Sequence, residues 1–322
     1  MNRFTRVSRR TFLTAVGAAV GGCRGEKKRL IGVIAEGRTH LFWQTVHAGA
    51  VAASQERGVE IQWNAPASES DLTGQIQMVD AMINRRVDAI ALCPGDVNAM
   101  VAVVERAVAQ KIPVIIFDTG IATESYSSWV ATDNYAGGQM GAERMAEILN
   151  GRGKVAVVAV RPGAASSVAR EAGFEETINA RFPKIEIVDK RFGNADFAQS
   201  LAVSENILTA HPGLDGIFAS NESSSVGAMQ ALKSRKGTRA KMVGFDWSPN
   251  LIEELQSGLI DSLVVQNPFK IGYESVIAAA DVLEGKPVKK INKLPARLIR
   301  KEDLEKQDVK ALIHPDLKRW LG

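Results

Sequence analysis

Charged, amide and aromatic side chains follow several short apolar runs in this sequence, and these residue types suit a ligand rich in hydroxyl groups. The carboxylates of Asp118 and Asp246 can each accept hydrogen bonds from two neighbouring hydroxyls. An amide such as that of Asn221 can donate to other hydroxyls. Aromatic rings such as Phe42 and Trp43 can cover the apolar C–H face of a sugar ring. The pattern therefore predicts a binding site for a polyol.

Each of these residues has a second interpretation when it is taken alone, because polar residues at strand ends commonly cap the next helix or form a turn. The whole set is harder to explain in that way. It comprises Glu36, His40, Asp118, Arg161, Asn221, Asp246 and Gln266. Since ligands of open parallel sheets lie beyond the carboxyl ends of the strands, we expect these side chains to share one site.

The elements that must position these side chains alternate between strand and helix. Apolar runs predict strands over residues 30–35, 59–63, 88–92, 113–117, 128–131, 154–160, 185–188, 216–219, 242–245, 262–265 and 296–299. Segments with an apolar stripe, such as 70–86, predict helices between these strands. Alternation with short links predicts an α/β fold with parallel sheets. Residues 302–321 are expected to form a charged C-terminal extension.

The stretch 129–138 divides this series into two parts. Its apolar start is followed by Asp133, which can cap the next helix, and the strand–helix alternation begins again after Gly151. We therefore expect Thr132 to lie where the chain leaves one α/β lobe for another. A joint at which the strand ends of two lobes face each other is a suitable place for a small molecule.

Length and composition are those of a globular chain with two lobes of ordinary size. The chain has 322 residues, of which 45% are hydrophobic and 24% are charged. Its formal net charge of +4 is accounted for by the arginines within residues 1–22, which contain no acidic residue. Because the remainder is close to neutral, we expect no nucleic-acid partner.

The first residues predict export. Residues 8–13 read Ser-Arg-Arg-Thr-Phe-Leu, a twin-arginine export motif, and the apolar run 11–20 is too short for a membrane span. Residues 20–23 resemble a bacterial lipobox, so Cys23 is expected to be acylated and to anchor the chain to the membrane outside the cytoplasm. The alternative is a soluble exported protein cut near Gly22.

Cysteine and histidine usage argues against a disulfide and against a metal centre. Cys93 lies in an apolar run and is expected to be a small buried residue, and an acylated Cys23 leaves it no partner. The histidines are scattered at positions 40, 47, 211 and 314. We therefore expect no metal and no cofactor.

Several motifs, taken together and in order, resemble type I periplasmic sugar-binding proteins, most closely the ribose-binding group. They are Thr-Asp-Asn-Tyr-Ala-Gly-Gly at 132–138, Arg-Glu-Ala-Gly-Phe at 170–174, His-Pro-Gly-Leu-Asp-Gly-Ile-Phe-Ala-Ser-Asn at 211–221, Val-Gly-Phe-Asp at 243–246, and Gln266. The resemblance extends from about Leu30 to about Ile299. It implies two Rossmann-like lobes with parallel sheets, joined by a three-stranded hinge near Thr132, Gln266 and Pro295.

The resemblance also implies a division of the chain. Residues 1–29 would be the signal and tether. Residues 30–132 with 267–294 would form the N-terminal lobe. Residues 133–266 with 295–322 would form the C-terminal lobe.

Carried over residue by residue, the resemblance implies a set of ligand-binding positions. They are Phe42, Trp43, Asp118, Thr132, Arg170, Phe197, Asn221, Asp246 and Gln266. The chain departs from the family pattern where His40-Leu41 replaces the usual Asn-Pro and where Thr119 replaces an arginine. Glu36 and Arg161 are also unusual, so a preference for ribose is not implied. Glu36, His40 and Arg161 would either bind the ligand or lie on the rim, facing solvent.

The function that the resemblance implies is capture of a monosaccharide or related polyol by hinge closure. The captured ligand would be delivered to an ABC permease driven by a separate ATPase. We expect a periplasmic or extracytoplasmic monomer without enzymatic activity.

Two alternatives stay open: a sugar-sensing protein that signals to a membrane sensor, and a periplasmic carbohydrate-processing enzyme that uses Glu36, His40, Asp118 and Asp246 as acid and base. The second is disfavoured because no Gly-x-Ser-x-Gly, P-loop or Gly-x-Gly-x-x-Gly motif is present. A ligand-sensing transcription factor is also disfavoured, because an export leader stands where a DNA-binding domain would precede the first strand.

Overall fold

The computed structural model describes residues 28–235 and 237–322, and within these ranges the chain forms two α/β halves. The strands, in chain order, are β1 (Leu30–Ile34), β2 (Glu60–Asn64), β3 (Ala89–Leu92), β4 (Val114–Phe117), β5 (Ser128–Thr132), β6 (Gly153–Ala159), β7 (Ile185–Phe192), β8 (Gly216–Ala219), β9 (Lys241–Phe245), β10 (Ser262–Val265), β11 (Ile291–Leu294) and β12 (Arg297–Arg300). The helices are α1 (Leu41–Arg57), α2 (Leu72–Arg85), α3 (Val101–Ala109), α4 (Asn134–Ile148), α5 (Ala165–Arg181), α6 (Phe197–Ala210), α7 (Glu222–Ser234), α8 (Pro249–Ser257), α9 (Pro268–Leu283), α10 (Gln307–Ile313) and α11 (Leu317–Leu321).

Each half is built on a six-stranded sheet. The first sheet has the order β11-β5-β4-β3-β1-β2, and its strands are parallel. The second sheet has the order β12-β10-β9-β8-β6-β7, in which only β12 runs antiparallel to its neighbour. The central strands β3, β4, β8 and β10 are buried along their whole length, as continuous apolar runs require. The predicted α/β class is confirmed.

The chain passes between the two sheets three times. It leaves the first sheet at the end of β5, leaves the second at the end of β10, and passes directly from β11 to β12. The predicted three-stranded hinge is therefore confirmed. The residue limits given above for each lobe remain a prediction.

The C-terminal part is more ordered than predicted. Instead of a charged extension, residues 302–321 contain α10 and α11. Val309 and Ile313 of α10 are buried in the core of the second half, because residues four apart share one helix face. The last helix, α11, packs against α1 of the first half, and the ring of Trp320 lies 6.1 Å from that of Phe269. Helix α11 thus contacts the first half, and the predicted assignment of 295–322 to the C-terminal lobe stays a prediction.

Strand β11 was not predicted, because Ile-Asn-Lys-Leu has little apolar character. It pairs only with β5, at the edge of the first sheet, where polar side chains can face solvent. Among the helices of the described residues, none is long and apolar enough to cross a membrane. The predicted export motif and Cys23 lie outside the described residues.

Candidate functional site

A cleft lies between the two sheets, where the carboxyl ends of their strands face each other. Its free cavity volume is about 30 Å³, so the two halves are nearly closed on each other and a small molecule must enter while they are further apart. The lining consists of Glu36, His40, Phe42, Trp43, Glu69, Asp118, Val160, Arg161, Ala164, Ser166, Ser167, Arg170, Asn221, Glu222, Asp246 and Gln266. The predicted convergence of strand-end side chains on one place is therefore observed.

The two halves supply side chains from equivalent positions. Asp118 directly follows β4 and Asp246 directly follows β9, and these strands occupy the same place in the two sheets. Both aspartates have a left-handed backbone, with φ of 57° and 67°. Both backbone N–H groups donate at 2.8 Å to the neighbouring strand, to the carbonyls of Val130 and Val264. Aspartate tolerates this conformation better than most residues, and it aims both carboxylates at the cleft.

The carboxylate of Asp246 is surrounded by donors. Its Oδ1 accepts from Gln266 Nε2 at 2.6 Å, and its Oδ2 accepts from the backbone N–H of Glu222 at 3.1 Å. Arg170 Nη1 lies 3.6 Å from the same Oδ2. Burial raises the pKa of Asp246, while Arg170 and the hydrogen bonds oppose that rise. The second half therefore holds this carboxylate in a fixed place.

Arg170 is itself held from several sides. Its Nε donates to Asn134 Oδ1 at 2.8 Å, its Nη1 donates to the Ser220 carbonyl at 3.0 Å, and its guanidinium lies 4.1 Å from the centre of the Phe245 ring. Helix α5 brings Arg170 here by packing closely on α4. A Cβ at Gly138 would lie 1.9 Å from the Arg170 carbonyl oxygen, so only glycine allows this approach.

Asn221 both caps a helix and lines the cleft, two roles that the sequence alone offered as alternatives. Its Oδ1 accepts from the backbone N–H of Ser224 at 2.9 Å and caps α7. The residue also lines the cleft. A helix cap at a strand end is therefore compatible with a place in the site.

The carboxylate of Asp118 contrasts with that of Asp246. It is 4% exposed, and its Oδ1 has no hydrogen-bond partner. Its Oδ2 lies 4.0 Å from Cys93 Sγ. Burial raises the pKa of Asp118 to about 7, although Arg170 acts to lower it. The first half thus presents a desolvated acceptor that needs a donor.

Arg161 joins the two halves. It follows β6 of the second sheet, and its Nη2 donates to Glu36 Oε1 at 2.5 Å, to the Glu69 carbonyl at 3.2 Å and to the Gly95 carbonyl at 2.5 Å, all in the first half. Burial raises the pKa of Glu36 to about 8, with the Glu69 carboxylate adding to the rise and Arg161 opposing it. Glu36 is 5% exposed, so this pair lies inside the cleft, not on a solvent-facing rim.

His40 is also inside the cleft. Its Nδ1 lies 2.8 Å from Glu69 Oε1, the same oxygen that accepts from Trp43 Nε1 at 2.7 Å. Burial lowers the pKa of His40, but the Glu69 carboxylate more than offsets this and raises it to about 9. The imidazole also meets the Phe197 ring of the second half edge-on, with centroids 4.9 Å apart.

Glu222 forms a second polar contact between the halves. Its carboxylate accepts from the backbone N–H groups of Leu41 and Phe42, at 3.3 and 3.2 Å. These groups open helix α1, whose amino terminus favours negative charge. Burial nevertheless raises the pKa of Glu222 to about 7.

Most predicted site residues are brought together, and two are not in the lining. The lining includes Glu36, His40, Phe42, Trp43, Asp118, Arg161, Arg170, Asn221, Asp246 and Gln266. Phe197 lies behind His40, and Thr132 is buried at the end of β5 with an unpartnered Oγ1. Whether any of these residues binds a ligand remains a prediction.

The predicted set of ligand-binding residues did not include Glu69, Glu222 or the serines at the start of α5. Glu69 lies in the β2–α2 loop, five residues after the strand ends, so strand-end reasoning could not find it. Glu222 was visible beside Asn221, but its partners belong to the other half of the chain. Ser166 faces Thr119 across the cleft, with their hydroxyl oxygens 3.2 Å apart.

Glu36, Cys93 and Asp118 have the spacing of a possible metal site. One donor atom from each lies within 4.8 Å of the others, and all three residues are buried. Cys93 is buried, as predicted, and burial raises the pKa of its thiol well above the usual value. A protonated thiol and a guanidinium bound to Glu36 both compete with a cation here. The absence of a metal therefore remains our expectation.

The arrangement is suited to hydrogen bonding and lacks an activated nucleophile. Across residues 28–235 and 237–322, no hydroxyl or thiol is hydrogen-bonded to a histidine. Such a contact is the usual sign of a serine or cysteine nucleophile. The cleft is therefore a place to hold a small polar molecule.

Comparison with known proteins agrees with this description. Residues 31–287 match the family model of the periplasmic binding protein domain. The ribose import binding protein of Bacillus subtilis is 30% identical over 275 residues, which cover 85% of this chain and 88% of that protein.

Solved structures are similar over nearly their whole length. A carbohydrate transporter solute-binding protein from Agrobacterium radiobacter, in complex with D-arabinose, has a TM-score of 0.86 and 29% identity, covering 89% of this chain and 99% of that one. An ABC transporter solute-binding protein from Agrobacterium vitis with bound D-fucose has a TM-score of 0.85 and 32% identity, covering 88% and 100%.

Proposed function

Since this chain belongs to the periplasmic binding protein family, whose members bind solutes, we propose that it is an exported sugar-binding protein. Its two lobes would close around a monosaccharide or a related polyol. It would then deliver the ligand, unaltered, to an ABC permease.

One observation carries the proposal: polar groups from both halves line a single buried cleft, and some of their atoms have no partner. The Oδ1 of Asp118, the Oε1 of Gln266 and the Nη1 of Arg161 are all buried without a hydrogen bond. An unpaired buried polar group costs about 1–3 kcal/mol. A hydroxyl group both donates and accepts, so a polyol can supply partners to all three groups.

Hinge closure is the mechanism that this arrangement supports. The first half contributes Phe42, Trp43 and Asp118, and the second contributes Arg170 and Asp246. A ligand held by both sets favours the closed form by the contacts that it makes only there. The contacts of Arg161 and Glu222 across the cleft add to closure, because they join the two halves directly.

The names of the relatives and the N-terminal motifs support the proposed delivery and location. The B. subtilis relative is named as an import binding protein, and the Agrobacterium vitis structure as an ABC transporter component. We infer export by the twin-arginine route to a periplasmic or extracytoplasmic location, anchoring through a lipid on Cys23, and a monomeric state. We infer no enzymatic activity, because nothing in the cleft activates a nucleophile.

The proposal is tested with the purified mature chain. A thermal-shift screen against pentoses, hexoses, polyols and sugar acids should identify a ligand that raises the melting temperature, since binding to the folded state stabilises it. Asp246→Ala should then remove most of the calorimetric affinity while unfolding stays cooperative. Glu254→Gln, at a position paired with Lys233 away from the cleft, is the matched control.

A screen in which no sugar or polyol shifts the melting temperature would reject the proposal. Transport and sensing are separated in the producing cell. Deleting the gene should abolish uptake of the identified ligand. Normal uptake with loss of a transcriptional response to that ligand would favour the sensing alternative.

A further inference from the structure

We propose that the ligand carries a positively charged amino group in addition to its hydroxyls, and is therefore an amino sugar or an amino polyol. This inference rests on the proposed function and specifies the class of ligand that the same cleft takes. It depends on the balance and pairing of charges in the lining.

The lining contains more acidic than basic groups. Its carboxylates are those of Glu36, Glu69, Asp118, Glu222 and Asp246, and its cationic groups are those of His40, Arg161 and Arg170. These residues give an excess of two negative charges when all are ionised. Apart from Glu69 and Arg161, each is less than 9% exposed, so water does little to screen the excess.

Each cation in the cleft already has a carboxylate partner. Arg161 is 2.5 Å from Glu36, and the imidazole of His40 is 2.8 Å from Glu69. Arg170 lies 3.6 Å from Asp246 and also donates to Asn134 and to the carbonyl of Ser220. These pairs leave Asp118 and Glu222 without a side-chain cation at salt-bridge distance.

Of these two, Glu222 is compensated in another way. Its oxygens accept from the first backbone N–H groups of α1, at the positive end of that helix. Asp118 has no comparable donor, because its Oδ1 is buried without any partner. The carboxylate of Glu36 lies within 4.8 Å of it and adds to the need for positive charge when it is ionised.

A second acceptor in the lining also lacks a donor, independently of the acidic cluster. Gln266 is 1% exposed, its Nε2 donates to Asp246, and its Oε1 has no partner. An ammonium group donates up to three hydrogen bonds and accepts none, so it suits the open acceptors Asp118 Oδ1 and Gln266 Oε1. The open donor, Arg161 Nη1, needs a hydroxyl oxygen of the same ligand. A hydroxyl can satisfy the same acceptors but leaves the excess charge uncompensated.

The raised pKa values support the same conclusion. Burial raises the pKa of Asp118 to about 7 and that of Glu36 to about 8, so a cationic group placed beside these carboxyl groups would favour their ionised forms. A divalent cation is the other possible source of that charge. The titrations below are therefore run in a chelator, so that only the ligand can supply it.

The test compares ligands that differ in one group. The mature chain is titrated calorimetrically at pH 7 in EDTA with glucosamine, glucose and N-acetylglucosamine, with the corresponding galactose and mannose sets, and with glucamine and glucitol. In at least one set the amine should bind about tenfold more tightly than its neutral parent, and acetylation should remove the advantage.

A variant then localises the effect. Asp118→Asn keeps the shape of the side chain and removes its charge, so the ratio of amine to neutral affinity should fall by about tenfold. Asp246→Asn is the matched control, because that carboxylate already has a cation beside it and its loss should weaken both ligands alike. Circular dichroism melting confirms that both variants fold.

The outcomes separate this inference from the proposed function. If only neutral sugars or polyols bind, or if the ratio is unchanged in Asp118→Asn, the inference is overturned and the proposed function stands. If no member of these sets and no other sugar or polyol binds, both are overturned together.

Discussion

Each half of the cleft places an aspartate at the same position, but the two carboxylates have different hydrogen-bond partners. Asp118 and Asp246 share a place in their sheets, a left-handed backbone and a backbone hydrogen bond to the next strand. Asp246 has donors on both oxygens, whereas Asp118 has an oxygen with none. The local fold is therefore alike in both halves, and the difference lies in the side chains around it.

This difference suggests that the two halves contribute differently to ligand binding. The second half holds its polar groups in place through Arg170, Gln266 and the start of α7, so little order is lost when a ligand arrives. In the first half, Glu36 pairs with Arg161 of the second half, and one oxygen of Asp118 has no partner, so both carboxylates depend on groups from outside that half. We infer that the second half fixes the orientation of the ligand and that the first half selects its chemical type.

The largest effect on stability and binding is expected from disturbing the packing of α4 on α5, which places Arg170 in the second half. In Gly138→Ala, the new Cβ would lie 1.9 Å from the Arg170 carbonyl, so α4 and α5 must separate and carry Arg170 away from Asp246. We expect a loss of about 3 kcal/mol in the free energy of unfolding, measured in denaturant, and a loss of ligand binding.

Gly213→Ala is the control for this change, because no atom lies within 4 Å of its added Cβ. It should alter the free energy of unfolding by less than about 0.5 kcal/mol. Equal stability of the two variants would contradict the importance of the close α4–α5 packing.

Removing the charge of either aspartate should change the stability of the chain in opposite directions. Asp246→Asn should lower the free energy of unfolding of the ligand-free chain by about 1–3 kcal/mol, because Arg170 loses its counter-charge and the new NH2 group faces one of the two donors that the carboxylate accepted from. Asp118→Asn should instead raise it by about 1 kcal/mol at pH 8, because it removes a desolvated charge. Denaturant unfolding without ligand measures both, and a loss of stability in Asp118→Asn would break the comparison.

The smallest expected effect is a pH dependence that arises mainly in the first half. Burial raises the pKa of Glu36 to about 8 and of Asp118 to about 7, and the Glu69 carboxylate overcomes burial to raise that of His40 to about 9. A raised pKa means that the folded form binds the proton more tightly. Stability is therefore fully present below the unfolded pKa and is lost as the pH rises through the folded one.

The free energy of unfolding should accordingly fall by about 1–2 kcal/mol between about pH 5 and pH 9, with water entry into the cleft limiting the change. Asp118→Asn should flatten this slope. Glu254→Gln should not, since the Lys233 hydrogen bond lowers the pKa of Glu254 and moves its titration to more acidic conditions. A slope that is the same in all three proteins would show that the acidic cluster does not cause it.

Much of the fold follows from local patterns in the sequence. Apolar runs identified the central strands because such strands are covered on both faces. Asp118 and Asp246 could be placed together because the ends of parallel strands meet at one edge. The edge strand β11 and helix α10 were missed, because polar and charged residues outnumber the few apolar ones that fix their position.

The contacts between the halves could not be predicted in the same way. Glu222 and Leu41 are 181 residues apart, and Arg161 and Glu36 are 125 apart. Their meeting depends on how the halves are oriented, which no local pattern encodes. The same reason explains why the interior position of Glu36, His40 and Arg161 was left open by the sequence.

Helix α11 brings the C-terminal segment back onto α1, in the half that also contains β1. Both ends of the described chain are therefore attached to one body. A molecule immobilised through either terminus would keep that body stationary while the other swings. A fluorophore on the swinging body and a quencher on the fixed one would report each capture event. With Cys23 replaced, the buried Cys93 would leave thiol labelling at engineered sites specific.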